Sequence, residues 1–234
     1  MTRVSSDQAL LSESVARGPV LRLMIGLRIF FALLGFSALV TEIATLAAKH
    51  RFNAGNFFSF FTVESNTLSV LSLLLSSFAV ATGTVSRALD VFRGAVTLYM
   101  TTTILIFIVL LSGYPSSELT AVRWDNTVLH YIMPIVIIVD WLIFRTARRI
   151  PLSIAMLWMA FPLAYLVYSL VRGPIVDWYP YPFMNPSTHG YVGVLITAVV
   201  IAVILAVITW GIAGVTRLPP VRMLARPISD TPDV

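Results

Sequence analysis

The sequence predicts an all-α polytopic membrane protein, a bundle of six transmembrane helices with both termini cytoplasmic. Three observations predict it. The 234 residues are 58% hydrophobic and only 12% charged, with a mean hydropathy of +0.88. A soluble domain carries about 25% charged residues, so this chain has more apolar surface than one core can absorb. Six stretches also approach or exceed the ~20 apolar residues that a spanning helix needs. Finally, the basic residues divide unevenly between alternate loops, the bias that sets orientation.

The stretches run over residues 20–47, 57–81, 92–113, 127–145, 151–171 and 190–214. Residues 1–18 are polar, with Arg3, Asp7, Glu13 and Arg17, and lack the apolar centre of a cleavable signal peptide. The first stretch is therefore expected to stay and act as a signal anchor. Residues 19–215 form the membrane domain. Residues 216–234, rich in proline and arginine, read as a disordered cytoplasmic tail. Arg3, Arg17, Arg22, Arg87, Arg93, Arg145, Arg148, Arg149, Arg217, Arg222 and Arg226 fall on one side. Lys49, Arg51, Arg123 and Arg172 fall on the other, which makes the first side cytoplasmic.

Composition also excludes. The net charge of +5 does not point to nucleic acid, because the basic residues sit in short loops beside apolar spans. Without cysteine there is no disulfide, thiolate catalysis or Cys-ligated metal. No cofactor is expected. The expected surroundings are the lipid bilayer; the sequence leaves the oligomeric state open.

Polar residues inside apolar spans are costly, so each calls for a reason. Ser59, Thr62, Glu64 and Asn66 lie in Asn56-Phe-Phe-Ser-Phe-Phe-Thr-Val-Glu-Ser-Asn66. At about 100° per residue, Ser59, Thr62, Asn66 and Ser69 share one helical stripe, and Glu64 lies off it. At 1.5 Å per residue, Thr62 is about 7 Å and Asn66 about 13 Å from the outer start of the second span. His130 is about 5 Å into the fourth span by the same rise. Glu42 ends the first span and His189 opens the sixth. These groups converge on the outer leaflet. A hydroxyl with an imidazole is the minimum kit for nucleophilic catalysis; interhelical hydrogen bonding is the plainer reading for any single hydroxyl.

Two further features stand out. Arg28 and Asp140 lie at similar depth towards the cytoplasmic side, which predicts a structural ion pair across the bundle. The outer loop 172–189 holds four prolines with Trp178, Tyr179, Tyr181 and Phe183. It suits an interfacial anchor, or a lid over an outer-leaflet cavity with His189 near its hinge.

The Phe-Ser-Phe-Phe-Thr-Val-Glu-Ser-Asn run, the His130 helix and the Trp178-Tyr-Pro-Tyr-Pro-Phe183 loop resemble a known family. It is the androgen-induced and androgen-dependent six-helix membrane hydrolases, most closely their bacterial relatives. The resemblance covers all six spans in layout and implies a protein of the bacterial plasma membrane. The animal members are threonine hydrolases of fatty-acid esters of hydroxy fatty acids. Their nucleophile precedes a phenylalanine and lies seven residues before a glutamine; the matching positions here are Ser59, Phe60 and Asn66. Thr62 matches by residue type and Ser59 by register, so both stand as nucleophile candidates. The family's histidine, followed by a proline and an acidic residue, matches His130, Pro134 and Asp140.

The leading expectation is an intramembrane hydrolase of long-chain lipid esters. Ser59 or Thr62 would attack, His130 would carry the proton, and Asn66 would donate to the oxyanion. Asp140 lies about 15 Å along the helix from His130, too far to orient it; Glu42 or Glu64 would need packing to bring them near. A non-catalytic lipid binder is one alternative. A proton-coupled transporter using Glu42, Glu64, Asp140 and Arg28 is another, weakened by the lack of an internal repeat. Haem held by His130 and His189 is a poorer fit, because the two histidines have no shared-span spacing.

Overall fold

A computed structural model describes residues 3–84, 86–114, 120–144, 146 and 148–218, with side chains from Gly18 onward except that of His189. The described residues are helical, with no strand among them. Six helices are long and apolar enough to cross a membrane: Gly18–Ala48, Phe61–Thr82, Arg87–Leu111, Arg123–Ile143, Leu152–Val176 and Gly190–Val215, here spans 1 to 6. Span 1 continues a helix that begins at Arg3, so the polar leader is an extension of it. Most of the segment read as a tail, residues 219–234, lies outside the described residues.

Local chemistry sets several span ends. Ser86 caps span 3, its hydroxyl accepting from the Leu89 N–H at 3.3 Å. Span 2 stops at Gly83, which takes the left-handed conformation (φ 71°) that glycine adopts without strain. Asn185 caps the helix Pro186–Val215, which bends at Gly190, where φ is 65° and ψ 162°.

Span 1 packs mainly on span 2, and span 3 packs on both spans 2 and 4. Two apolar cores result. One joins spans 1 to 4 around Ala38, Leu73, Met100 and Met133. The other joins spans 3 to 6 around Leu98, Trp141, Trp158 and Leu205. Glycines allow the closest approaches: Gly35 faces Met133, and Gly94 faces the Trp158 ring. Leu195, Val199, Val203, Val207 and Trp210 of span 6 are each more than half exposed, an apolar stripe suited to lipid.

Spans 3 and 4 both depart from α geometry. Phe107–Leu111 and Val128–Ile132 are π-helical turns. The second precedes Pro134, which lacks an N–H and whose ring would collide with the His130 carbonyl in a regular helix. Widening this turn relieves the conflict, and Met133 N–H bonds to Val128 O, five residues back.

Candidate functional site

The bundle end away from the chain termini gathers the start of spans 2, 4 and 6 and the end of spans 1, 3 and 5. The connection from span 1 into span 2 is a single helical turn, Ala54–Phe57, capped by the Asn53 side chain through the Asn56 N–H. Span 2 proper starts only at Phe61. Thr62 is thus its second residue, where the positive end of the helix dipole favours developing negative charge.

Thr62 Oγ1 lies 3.3 Å from His130 Nε2. His130 Nδ1 lies 3.1 Å from the Asn126 carbonyl, which can only accept, so Nδ1 carries the proton. Nε2 is left with a lone pair directed at the Thr62 hydroxyl. The imidazole is buried and stacks on Phe107 with centroids 4.2 Å apart. The two widened turns therefore meet: one presents the imidazole and the other begins with the ring that packs on it.

Tyr181, from the loop before span 6, completes the cluster. Its hydroxyl accepts from the Thr62 N–H at 3.2 Å and lies 3.3 Å from Thr62 Oγ1. Burial pushes this phenol above its ordinary pKa, so its proton is retained and available for donation. Phe183 stacks on Tyr181, and Phe60 meets it edge-on. Loop 172–189 is thus folded into the bundle end, and it contributes a group to the site. The sequence signal for Tyr181 was an aromatic between two prolines, which fits an interfacial anchor equally well.

Two cavities meet at Thr62 and Tyr181, which line both. The larger, about 530 Å³, is amphipathic and includes Glu42, Arg51, Asn53, Asn56, Phe60, His130 and Trp178. The smaller, about 90 Å³, is almost wholly apolar and runs between spans 2, 3, 5 and 6 past Phe61, Ile106, Leu163, Leu166, Val194 and Leu205.

The other expected site residues fall elsewhere. Ser59 precedes span 2 and does not share its stripe. Its hydroxyl donates to Gly55 O at 2.6 Å and meets Tyr168 OH at 2.8 Å, while its carbonyl accepts from Tyr165. It braces the connection and has no hydrogen bond to His130. Asn66 faces the right way but is already committed: its amide donates to Thr62 O at 2.8 Å and Leu129 O at 3.0 Å. Both N–H groups are used, so the expected oxyanion role is corrected to one of fastening span 2 to the widened turn of span 4. Glu42 accepts the Ala121 N–H with both oxygens, at 2.8 and 2.9 Å, beside the fully buried Asp125. It pins the segment entering span 4 and does not bond His130. Glu64 lines neither cavity. The His189 side chain lies outside the described residues.

At the opposite end, Asp140 accepts from Arg28 at 2.6 and 3.1 Å, the expected ion pair. Arg93 joins it at 2.8 Å and also donates to Phe144 O at 2.9 Å. Arg28 lies over the Phe144 ring and Arg93 over that of Trp141, at 4.9 and 5.7 Å. Arg93 is nearly two turns inside span 3, although the sequence reading counted it among the loop charges.

Among the described residues no group of three or more His, Asp or Glu side chains could hold a metal ion. In comparisons with known proteins, no family model, no curated protein and no solved structure matches this chain.

Proposed function

We propose that the protein is an intramembrane ester hydrolase in which Thr62 is the nucleophile, His130 the general base and Tyr181 the oxyanion donor. The observation that carries this reading is the Thr62–His130 contact, with the histidine tautomer fixed by the Asn126 carbonyl, at the junction of an apolar and an amphipathic cavity. The excess of basic residues on the terminal side favours an orientation with the site in the outer leaflet.

The geometry supports the following course of reaction. Thr62 Oγ attacks the acyl carbon while Nε2 takes its proton, and the carbonyl oxygen becomes the oxyanion. The Tyr181 O–H donates to that oxygen, aided by the dipole of span 2. Collapse breaks the ester bond, and the leaving alkoxide takes the proton from Nε2. A water, deprotonated by the same nitrogen, then attacks the acyl-threonine, releases the fatty acid and restores Thr62. The backbone carbonyl on Nδ1 orients the ring as a carboxylate does in the Ser-His-Asp arrangement, with less stabilisation of the imidazolium. Hydroxyl–imidazole contacts in free enzymes are characteristically longer than in complexes, and 3.3 Å is within that pattern.

A hydroxyl-directed phosphonate probe with mass mapping of the labelled peptide tests the assignment. Labelling at Thr62, lost in His130→Ala, is the expected result. Labelling at Ser59 would move the nucleophile. A lipid that co-purifies with unlabelled, inactive protein would favour the non-catalytic binding reading, which is supported by the fact that, among the described residues, Nδ1 of His130 meets a backbone carbonyl and not a carboxylate.

A further inference from the structure

Resting on the hydrolase reading of this same site, we infer that the substrate is a membrane glycerolipid with a phosphate-bearing head group, its acyl chain in the apolar cleft and its phosphate against Arg51.

Depth is the first argument. Thr62 is the second residue of span 2, and His130 lies seven residues into span 4, about 10 Å by helical rise. The attacked carbonyl must therefore sit just below the head-group boundary. Glycerolipid esters lie at that level, directly beneath the phosphate. An ester in the middle of an alkyl chain would have to rise out of the hydrocarbon to reach Thr62.

The cavities supply the second argument, because they differ in chemistry on the two sides of Thr62. Val194 and Leu205 both line the apolar cleft and are eleven residues apart on span 6, so the cleft follows that helix for about 16 Å towards the bilayer centre. Apart from hydroxyls such as those of Thr62, Thr103 and Tyr181, its walls are apolar, which suits an acyl chain better than an alcohol or a phosphate. The amphipathic cavity, about 530 Å³, has room for a polar head group.

Charge is the third. Arg51 is exposed, lines the amphipathic cavity and makes no ion pair among the described residues. A guanidinium matches phosphate geometry with two parallel hydrogen bonds. The carboxylate in the same cavity, Glu42, turns both oxygens to the Ala121 N–H. Arg172 keeps the rim in shape, donating to Asn56 Oδ1 at 2.7 Å and lying over the Trp178 ring at 5.5 Å.

The test uses the full chain in nanodiscs with two readouts. The first is hydrolysis of phosphatidylglycerol, of a diacylglycerol with the same acyl chains, and of a hydroxy-fatty-acid ester. The second is binding of an uncleavable diether phosphatidylglycerol to His130→Ala, read by native mass spectrometry. The phosphate lipid is expected to be cleaved at least about tenfold faster than either other ester, a difference of ~1.4 kcal/mol. Arg51→Gln should erase most of that ratio and weaken diether binding, and Arg51→Lys should restore part of each. Hydrolysis of all three esters at similar rates, insensitive to Arg51, overturns the substrate assignment and leaves the hydrolase intact. Arg51-dependent diether binding with no turnover of any ester overturns the hydrolase and leaves the head-group site standing.

Discussion

Asp140 is shared by two arginines, and the three singly substituted variants should therefore differ in a definite order. The Asp140 side chain is 11% exposed, that of Arg28 4% and that of Arg93 9%, so none of the three charges is well solvated. Asp140→Asn leaves two guanidiniums facing each other without a counter-charge. Removing one member of a buried pair costs about 3–5 kcal/mol, and this substitution strands two partners at once. It should fall at or above the top of that range. Arg28→Met leaves Asp140 paired with Arg93, and the Met chain refills part of the volume. Its cost should be nearer that of a lost charged hydrogen bond, about 1.5–3 kcal/mol. Arg93→Met also frees the Phe144 carbonyl, which places it between the other two. Thermal unfolding in detergent, followed by tryptophan fluorescence, reads the order: Asp140→Asn least stable, then Arg93→Met, then Arg28→Met. Arg28→Met combined with Asp140→Asn should remain less stable than Arg28→Met alone, because Arg93 is then left without its carboxylate. Asp140→Asn as stable as Arg28→Met would refute the three-centre reasoning.

Two more outcomes follow from the other end of the bundle. Tyr181→Phe keeps the stack on Phe183 but deletes the proposed oxyanion donor, so kcat on a long-chain ester should drop by about 10²–10³ with little change in KM; an unchanged kcat would remove Tyr181 from the chemistry. The Tyr179 ring lies against Gly173 so closely that an added Cβ would strike it, so Gly173→Ala should displace the loop carrying Tyr181 and lower activity more than stability, seen as faster proteolysis within residues 177–185 and an almost unchanged unfolding midpoint.

Hydropathy made the six spans legible because lipid-facing and core-facing positions are alike apolar, and the observed ends differ from the expected ones by a few residues. Thr62 and His130 were legible as a pair because depth is a one-dimensional quantity that counting residues supplies. Arg28 and Asp140 were found in the same way. Direction around a helix was harder to read. Ser59 was placed on the stripe by assuming that the helix ran through it, yet the chain takes a separate turn at Ala54–Phe57 and restarts at Phe61. No proline or glycine in Phe57–Phe60 marks that break; it is held by Tyr165 and Tyr168, more than 100 residues away. Tyr181 was missed because burial of a loop side chain is set by the elements it lands on. Asn66 was placed correctly by stripe and depth, but only the fold reveals that its two donors are taken by carbonyls of different spans.

The widened turn at Val128–Ile132 has one more consequence. A π-turn holds one residue more than an α-turn, so the two halves of span 4 do not share a common angular phase. Below the turn, phase is dictated by Asp140 and Trp141, which must face spans 1, 3 and 6 for the bundle to close. Within it and above it, phase is dictated by His130 and Asn126. The extra residue uncouples these demands, and the sequence on either side is free to change without turning the other half. A single helix thereby serves as a fixed post at one end and as an adjustable mount for the imidazole at the other.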